Sequence, residues 1–207
     1  MKHEWRKSEK TFYLPKQQPT VVELPSFQFL EITGEGNPNE EHFSHCVEVL
    51  YSISYALRMS HKGGYAPHDY FEYAVYPLEG IWDLREEVKQ SKEIPWSKDD
   101  LVYRLMIRQP NFITTSVVEE ALERTKKKKP HSLLDQVRFC SLKEGRCVQM
   151  LHLGSYDTER ASFQQMEEFC AQNGLVRSSK QHREIYLSDA RKVVPEKLKT
   201  VLRFTVQ

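Results

Sequence analysis

One order of elements, strand, helix, strand, strand, occurs twice along this chain of 207 residues. In the first half, the spacing of apolar residues predicts these elements at 27–34, 38–59, 70–78 and 101–109. In the second half, the same analysis predicts them at 147–154, 157–173, 182–189 and 198–206. The halves share little identity, so the repeat is one of structural pattern. A chain built this way is restricted to a mixed fold of strands and helices.

Capping residues mark the ends of the predicted helices. Asn37 and Pro38 fit an N-cap and a first helical position, and Asn173-Gly174 fits a helix C-terminus. A third helix is predicted at 114–124, between the two halves. The four lysines at 126–129 fit the solvated end of that helix, because cations complement its dipole. A nucleic-acid patch is the alternative for these lysines, and no other feature supports it.

The repeat predicts an α+β fold with a single antiparallel sheet. Each unit would cover one face of its strands with its own helix, and the two units would pair edge to edge around an approximate twofold axis. Both helices would then lie on one face of the sheet, and a ligand cleft would lie on the other. We expect one domain over 1–207, with repeat one at about 20–110, a connecting helix at about 111–140 and repeat two at about 141–207.

An acidic residue, Glu184, lies in the middle of the strand predicted at 182–189. Strand alternation places His182, Glu184 and Tyr186 on one face and Ile185 on the other. If the first face is solvated, Glu184 is an ordinary surface acid. If that face lines the cleft, Glu184 is a candidate for chemistry, with Tyr76 and Tyr186 on either side. The expected arrangement puts Ile185 under the helices and Glu184 in the cleft.

Charge and cysteine content exclude several classes of partner. Thirty Lys and Arg residues against 29 Asp and Glu give a formal charge of +1, which predicts neither a nucleic-acid partner nor binding to an anionic membrane. No apolar run approaches the ~20 residues of a spanning helix. The four cysteines are scattered and no signal peptide is present, so we expect a cytoplasmic protein. The sequence leaves homo-oligomerisation open.

Aromatic side chains supply the other candidates for the ligand site. Large aromatics serve equally as core plugs and as pocket walls, so both uses stay open for Trp82 and Trp96. Tyr103 shares its strand face with apolar residues, and it is either a core tyrosine or a pocket phenol. The residues predicted to bind ligand are Trp82, Trp96, Tyr76, Tyr186, His182 and Phe71.

The sequence predicts neither a metal nor a cofactor. His42 and His45 share a helix, but no Cys, Asp or Glu completes a set of metal ligands with them. A lone histidine near the start of a strand, such as His182, is commonly a surface residue, and its use in the site is the alternative. The chain also lacks the G-x-S-x-G, Walker and Rossmann motifs.

Three segments of the chain carry a recognisable pattern. They begin at Glu144 ("EGRCVQMLHLGSYDTERASFQQMEEFCAQNGL"), at His182 ("HREIYLSDARKVVPEKLKTVLRF") and at Tyr76 ("YPLEGIWDL"). These segments resemble the GyrI-like small-molecule-binding family. The resemblance is strongest to the free-standing members that hydrolyse cyclopropanoid antibiotics such as yatakemycin. It implies tandem strand-helix-strand-strand repeats (SHS2-type) and a central cleft, with the family's acid matched by Glu184 and its tryptophan by Trp82.

Two functions of different classes follow from the resemblance. As an enzyme, the protein would hydrolyse the cyclopropane of a flat hydrophobic drug, with Glu184 as the base and a phenol such as Tyr103 stabilising the oxyanion. As a binding module, it would sequester or sense an aromatic or cationic compound, with Glu184 as the counter-ion. Docking on another protein is a third option, which the near-neutral charge neither supports nor opposes.

Overall fold

A computed structural model describes residues 2–91 and 95–207 of the chain. The helices among these residues are α1 (Trp5–Ser8), α2 (Lys10–Tyr13), α3 (Glu41–Arg58), α4 (Glu86–Gln90), α5 (Thr115–Lys128) and α6 (Glu159–Gln172). The strands are β1 (Thr20–Glu35), β2 (Leu78–Leu84), β3 (Leu101–Gln109), β4 (Arg138–Leu153), β5 (His182–Tyr186) and β6 (Lys199–Thr205). The predicted α+β class is confirmed.

The chain forms two compact units. Unit 1 consists mainly of Phe27–Leu78 and Asp83–Leu142. Unit 2 consists of Glu4–Ser26, Glu79–Trp82 and Lys143–Gln207. The long strands β1 and β4 contribute residues to both units, as does β2, and each unit is described separately below.

In unit 1, β1 pairs with β3 in antiparallel register from Gln28↔Gln109 to Glu35↔Val102. Helix α3 packs on β3 and on α5. Its buried residues recur at helical spacing, at Cys46, Val49, Leu50, Ile53 and Leu57. This stripe is what folds α3 onto the sheet, since burial of an amphipathic face supplies most of the stability of a helix in a protein.

Helix α5 ends as its sequence predicts. The Thr114 side chain caps its first turn by accepting a hydrogen bond from the Val117 backbone N–H, and Lys126 to Lys128 form its last turn. Lys126 pairs with Glu123 and Asp135, and the next residue, Lys129, pairs with Glu48. These lysines are therefore the solvated end of a helix, tied to nearby carboxylates.

The prediction of a strand at 70–78 is wrong, because β2 begins only at Leu78. The aromatic residues before it face the end of α3 instead. Tyr70 donates its hydroxyl proton to the Arg58 carbonyl at 2.5 Å, and the Arg58 side chain donates to the Tyr73 carbonyl at 2.9 Å. The run of aromatic residues has the β propensity of a strand, but tertiary packing on α3 overrides that propensity.

In unit 2, β2, β5, β6 and β4 follow one another in antiparallel pairs. The register pairs Glu184 with Gly80 on one side and with Leu202 on the other, and Leu202 pairs with Met150. Directly paired residues share a face of the sheet. Glu184 therefore shares its face with Leu202 and Met150, which pack against Met166 of α6.

Glu184 was expected to face away from the helices. This expectation is wrong, because Glu184 lies on the face of the sheet that α6 covers. Strand alternation correctly groups His182, Glu184 and Tyr186, but it does not tell which face of the strand the helix covers. Ile185, which was expected under the helices, lies on the face opposite to Glu184. That opposite face is buried as well.

Buried ion pairs occupy the opposite face of the unit 2 sheet. Arg183 contacts Glu79 at 2.5 Å and Glu144 at 3.2 Å, and Arg203 donates to the Gln149 side chain at 2.7 Å. A charge removed from water is costly unless it is paired, so these contacts hold the strands in one register.

Candidate functional site

Glu184 lies at the middle of β5 and is held by two donors from its own strand. His182 donates from Nε2 to Glu184 Oε1 at 3.1 Å, and the Tyr186 hydroxyl donates to Glu184 Oε2 at 2.8 Å. All three side chains project from one face because they alternate along the strand. Glu184 is only 9 % exposed, so its carboxylate is fixed in a largely buried position.

Trp82 extends this hydrogen-bond chain from β2. Its indole Nε1 donates to the Tyr186 hydroxyl oxygen at 2.8 Å, and that hydroxyl in turn donates to Glu184. Burial raises the pKa of Tyr186 well above its usual value, and the Glu184 charge acts in the same direction. The phenol therefore keeps its proton at neutral pH and remains a donor to Glu184.

Gly80 makes room for this arrangement. It is the direct cross-strand partner of Glu184. A Cβ atom at this position would lie 2.7 Å from Trp82 Nε1 and 3.2 Å from the Tyr186 hydroxyl oxygen. Any side chain here would therefore push the indole off its hydrogen bond, which is the close approach that a glycine within a strand often marks.

Two aromatic rings from the α6 region complete the surroundings of Glu184. Tyr156 lies in the 3₁₀ turn before α6, and its ring is nearly perpendicular to that of Tyr186 at a centroid distance of 5.9 Å. Phe163 of α6 lies 4.7 Å from the His182 ring. Burial raises the pKa of Tyr156 to about 12, with the Glu184 charge as the next cause. The Tyr156 residue is nevertheless 39 % exposed, so part of it faces solvent.

His152 of β4 fixes the turn that carries Tyr156. Its Nδ1 is 2.9 Å from the Ser162 hydroxyl, and its Nε2 is 3.0 Å from the Ser155 carbonyl oxygen. The carbonyl can only accept, so Nε2 donates to it, whereas the Ser162 hydroxyl is able to donate to Nδ1 or to accept from it. This buried histidine ties β4 to both the turn and α6.

Glu159, the first residue of α6, is a second acid at the site. It is only 6 % exposed, and the ring contacts of Tyr156 and Phe163 on either side of it along the chain place its side chain beside Glu184. Burial raises the pKa of Glu159 far above its usual range, and the negative charge of Glu184 raises it further. Its Oε1 has no hydrogen-bond partner among the described residues. We call Gly80, Trp82, Tyr156, Glu159, His182, Glu184 and Tyr186 the Glu184 cluster.

Tyr103, the predicted second catalytic residue, belongs to unit 1. Its ring packs edge-on against Phe43 at 5.2 Å, and Gly34 leaves the space that the ring occupies. Its hydroxyl is hydrogen-bonded with Cys46, and burial raises its pKa far above the usual value. The side chain is thus a core tyrosine within unit 1, and its catalytic role stays a prediction.

The remaining predicted ligand-binding residues also belong to unit 1. Tyr76 is buried, with the Arg108 guanidinium 4.7 Å from its ring centroid. Phe71 is partly exposed and packs edge-on against Phe112 at 4.9 Å. Trp96 is 58 % exposed, so the interpretation of this residue as a core plug is wrong. The structure brings together four of the predicted residues: Trp82, His182, Glu184 and Tyr186.

The sequence of this chain matches a known protein family over most of its length. Residues 17–207, nearly the whole chain, match the GyrI-like small molecule binding domain. The chain belongs to this family. The GyrI-like resemblance predicted from the sequence is therefore confirmed.

Solved structures similar to this GyrI-like protein include a hydrolase from Listeria innocua, which is 36 % identical with a TM-score of 0.89. An uncharacterized conserved protein from the same organism is 38 % identical with a TM-score of 0.90. In both comparisons 100 % of each chain is covered. The EcmrR C-terminal domain, at 12 % identity, a TM-score of 0.56 and coverage of 92 % and 97 %, shares the fold alone. No protein of curated function matches the chain.

The GyrI-like site consists of carboxyl, phenol, indole and imidazole groups. Across residues 2–91 and 95–207, no three His, Cys, Asp or Glu side chains are arranged to hold a metal ion. In the same part of the chain, no helix has the length and apolar character needed to cross a membrane. The site presents a buried carboxylate among aromatic rings, and such a group can accept a proton or pair with a cation.

Proposed function

We propose that this GyrI-like protein binds flat hydrophobic compounds at the Glu184 cluster and hydrolyses the cyclopropane of cyclopropanoid DNA-alkylating antibiotics, which protects the cell. The observation that carries the proposal is a largely buried carboxylate fixed by two donors beside aromatic rings. The full-length similarity to a hydrolase from Listeria innocua at 36 % identity supports an enzyme rather than a binder.

In the proposed reaction, Glu184 acts as the general base. It accepts a proton from water while the water oxygen bonds to the cyclopropane CH₂ carbon. The strained C–C bond breaks, and its electron pair passes through the conjugated ring to the carbonyl oxygen, which becomes a phenolate. Protonation of that oxygen completes the addition of one water molecule. A positioned general base contributes a factor of about 10² to 10⁴ to such a step.

His182 and Tyr186 orient the base. Because each donates to a different oxygen of Glu184, the carboxylate cannot rotate freely. Fixed orientation of a base toward an attacking water lowers the entropic cost of reaching the transition state. Stabilisation of the developing phenolate requires a donor, and a phenol meets this need; Tyr103 is the predicted residue, and Tyr156 is a phenol within the Glu184 cluster itself.

The ligand-recognition part of the proposal rests on the aromatic rings. Tyr156 is partly exposed, so its ring is accessible to a flat ligand approaching unit 2. Stacking of such rings is insensitive to the exact ligand, which suits a protein that protects against a class of compounds. We propose an aromatic small molecule as the partner, and no nucleic acid.

A non-catalytic binding protein is the second candidate. A carboxylate surrounded by aromatic rings is a favourable site for an aromatic cation, because the charge pairs with Glu184 and the rings supply cation–π contacts. Both Glu184 oxygens already accept hydrogen bonds, which favours a counter-ion of fixed position. This module would sequester or sense a drug without changing it.

We also propose a cytoplasmic location. Cys46, Cys140, Cys147 and Cys170 are all free thiols, which suits a reducing compartment.

The test of function is the mass of the product. The pure protein is incubated with a tenfold or larger excess of a cyclopropane-bearing duocarmycin-type compound. A hydrolase converts the excess to the water adduct, whereas a binding protein leaves the compound unchanged. Unchanged compound bound tightly to the protein would reject the hydrolase and favour the second candidate.

A further inference from the structure

Two carboxyl side chains meet in the Glu184 cluster. Glu159, the first residue of α6, lies between Tyr156 and Phe163 along the chain, and the rings of those two residues contact Tyr186 and His182 on either side of Glu184. This places the two carboxyl side chains beside each other, and both are largely buried. A hydrogen bond between two carboxyl groups requires a proton on one of them, because an ionised carboxylate can only accept. Two adjacent carboxylates that both ionise would also repel strongly, so such pairs commonly hold one proton.

The surroundings of each acid decide which one keeps the proton. Glu184 accepts from His182 and from Tyr186, so donors already stabilise its charged form. Glu159 has no comparable support, since its Oε1 lacks a hydrogen-bond partner among the described residues. Ionisation of Glu159 would leave a charge in a buried site without donors, which is the more costly choice.

The helix dipole acts in the opposite direction and is the weaker effect. Glu159 is the first residue of α6, where the helix N-terminus favours a negative charge by about 0.3–1 kcal/mol. Burial of a carboxylate can shift its pKa upward by about 3–5 units, which corresponds to several kcal/mol. The titratable groups around Glu159 are the acids Glu184, Tyr186, Tyr156 and Asp157, together with His182, which contacts Glu184, and His152, which contacts the turn before α6.

We propose that Glu159 is a positioning residue of this site: it keeps one proton at neutral pH and donates it to Glu184, so that the two acids present a single negative charge to a bound ligand. In the proposed hydrolysis, on which this part of the inference rests, Glu184 is then the sole base. Deprotonation of Glu159 at alkaline pH would place a second charge beside Glu184 and break the shared hydrogen bond. The rate of ring opening would therefore fall at alkaline pH.

The first arm of the test observes the proton directly and needs no ligand. Infrared difference spectra compare the parent protein with Glu159→Gln at pH 7, where solvated acids are ionised and a protonated carboxyl absorbs separately. We expect the absorption of one protonated carboxyl in the parent and its loss in Glu159→Gln. Glu168→Gln, an exposed acid on the same helix, is the matched control and should leave the absorption unchanged. Absence of this absorption from the parent, or its persistence in Glu159→Gln, would overturn the proposal.

The second arm measures the pH dependence of ring opening. Glutamine keeps a donor for Glu184 but cannot ionise, so the decline of ring opening at alkaline pH that we expect in the parent should be absent from Glu159→Gln. Glu159→Leu removes the donor and should lose about 10- to 100-fold at all pH values. Identical alkaline profiles for the parent and Glu159→Gln would overturn the functional role. If no variant opens the ring, the proposed function fails, and the infrared arm still decides where the proton lies.

Discussion

Glu184 accepts hydrogen bonds from His182 and Tyr186 on its own strand, and we propose Glu159 on α6 as a third donor. Two of these three neighbours follow from strand alternation around a single acid. Glu159 could not be found this way, because the tertiary fold brings it to Glu184 and an acid at a helix N-terminus is too common to signal a site. Gly80 lies within β2, where a glycine often marks a close approach, but the strand predicted at 70–78 did not include it.

The proposed proton on Glu159 predicts a pH-dependent gain in stability for Glu159→Gln. Below the usual Glu pKa of about 4.3, folded and unfolded chains both carry the proton. As pH rises, the unfolded chain loses it first because burial raises the pKa of folded Glu159, so parent stability falls by up to about 1.4 kcal/mol per pH unit. Glutamine removes this loss.

Urea unfolding of the parent and Glu159→Gln between pH 4 and pH 8.5 tests this prediction. The two free energies of unfolding should be similar at the acid end, and the variant should become progressively more stable toward the alkaline end. Glu168→Gln should show no such trend. A difference between parent and Glu159→Gln that is constant with pH would contradict the assigned proton.

Gly80→Ala should displace Trp82 without unfolding the protein. The new Cβ would lie 2.7 Å from Trp82 Nε1, so the indole must leave the Tyr186 hydroxyl, and overpacking of this kind costs about 1–3 kcal/mol. The NMR shift of the Trp82 indole N–H and urea unfolding report the two effects. In a Trp82→Phe background, which lacks the clashing Nε1, the same substitution should cost less. An equal cost in both backgrounds would show that Trp82 is not what Gly80 accommodates.

At the scale of elements, the central features of the second repeat follow from its sequence. The strand cores of β4, β5 and β6 and the body of α6 lie where apolar periodicity predicts them. The second strand of the first repeat does not, because the aromatic residues at 70–76 pack on α3 and β2 begins at Leu78. The sequence also did not indicate which face of β5 lies under α6. Strand alternation separates the two faces without telling which one a helix covers, and nothing in the sequence showed that Arg183 would be buried.

The ion pairs behind β5 predict a large cost for Arg183→Met. This substitution leaves Glu79 buried with the Tyr13 hydroxyl, at 3.3 Å, but without the Arg183 cation. Loss of one partner of a buried pair costs about 3–5 kcal/mol. The double variant Arg183→Met with Glu79→Gln should recover part of that loss, because residue 79 is then neutral and Glu144 keeps Arg203 at 3.9 Å. Urea unfolding measures both, and a double variant less stable than Arg183→Met alone would contradict the pairing.

At the scale of the whole molecule, the fold class and the family were predictable and the chemistry was not. The resemblance carried by the long segments from Glu144 and His182 identified the GyrI-like family, which the match over 17–207 confirms. A family fold accommodates both binding and catalysis, so membership does not decide between them. The decision depends on what one carboxylate does to a bound compound.

The most direct test of the account is a comparison of binding and ring opening in Glu184→Gln. Glutamine preserves the size of the side chain but cannot accept the proton from water, so it removes a transition-state interaction and leaves ground-state stacking in place. Binding of the duocarmycin-type compound, followed by fluorescence, should stay within a few-fold of the parent, whereas the single-turnover rate of water addition should fall by about 10² to 10⁴. Ring opening by Glu184→Gln at the parent rate would contradict the claim that Glu184 is the base.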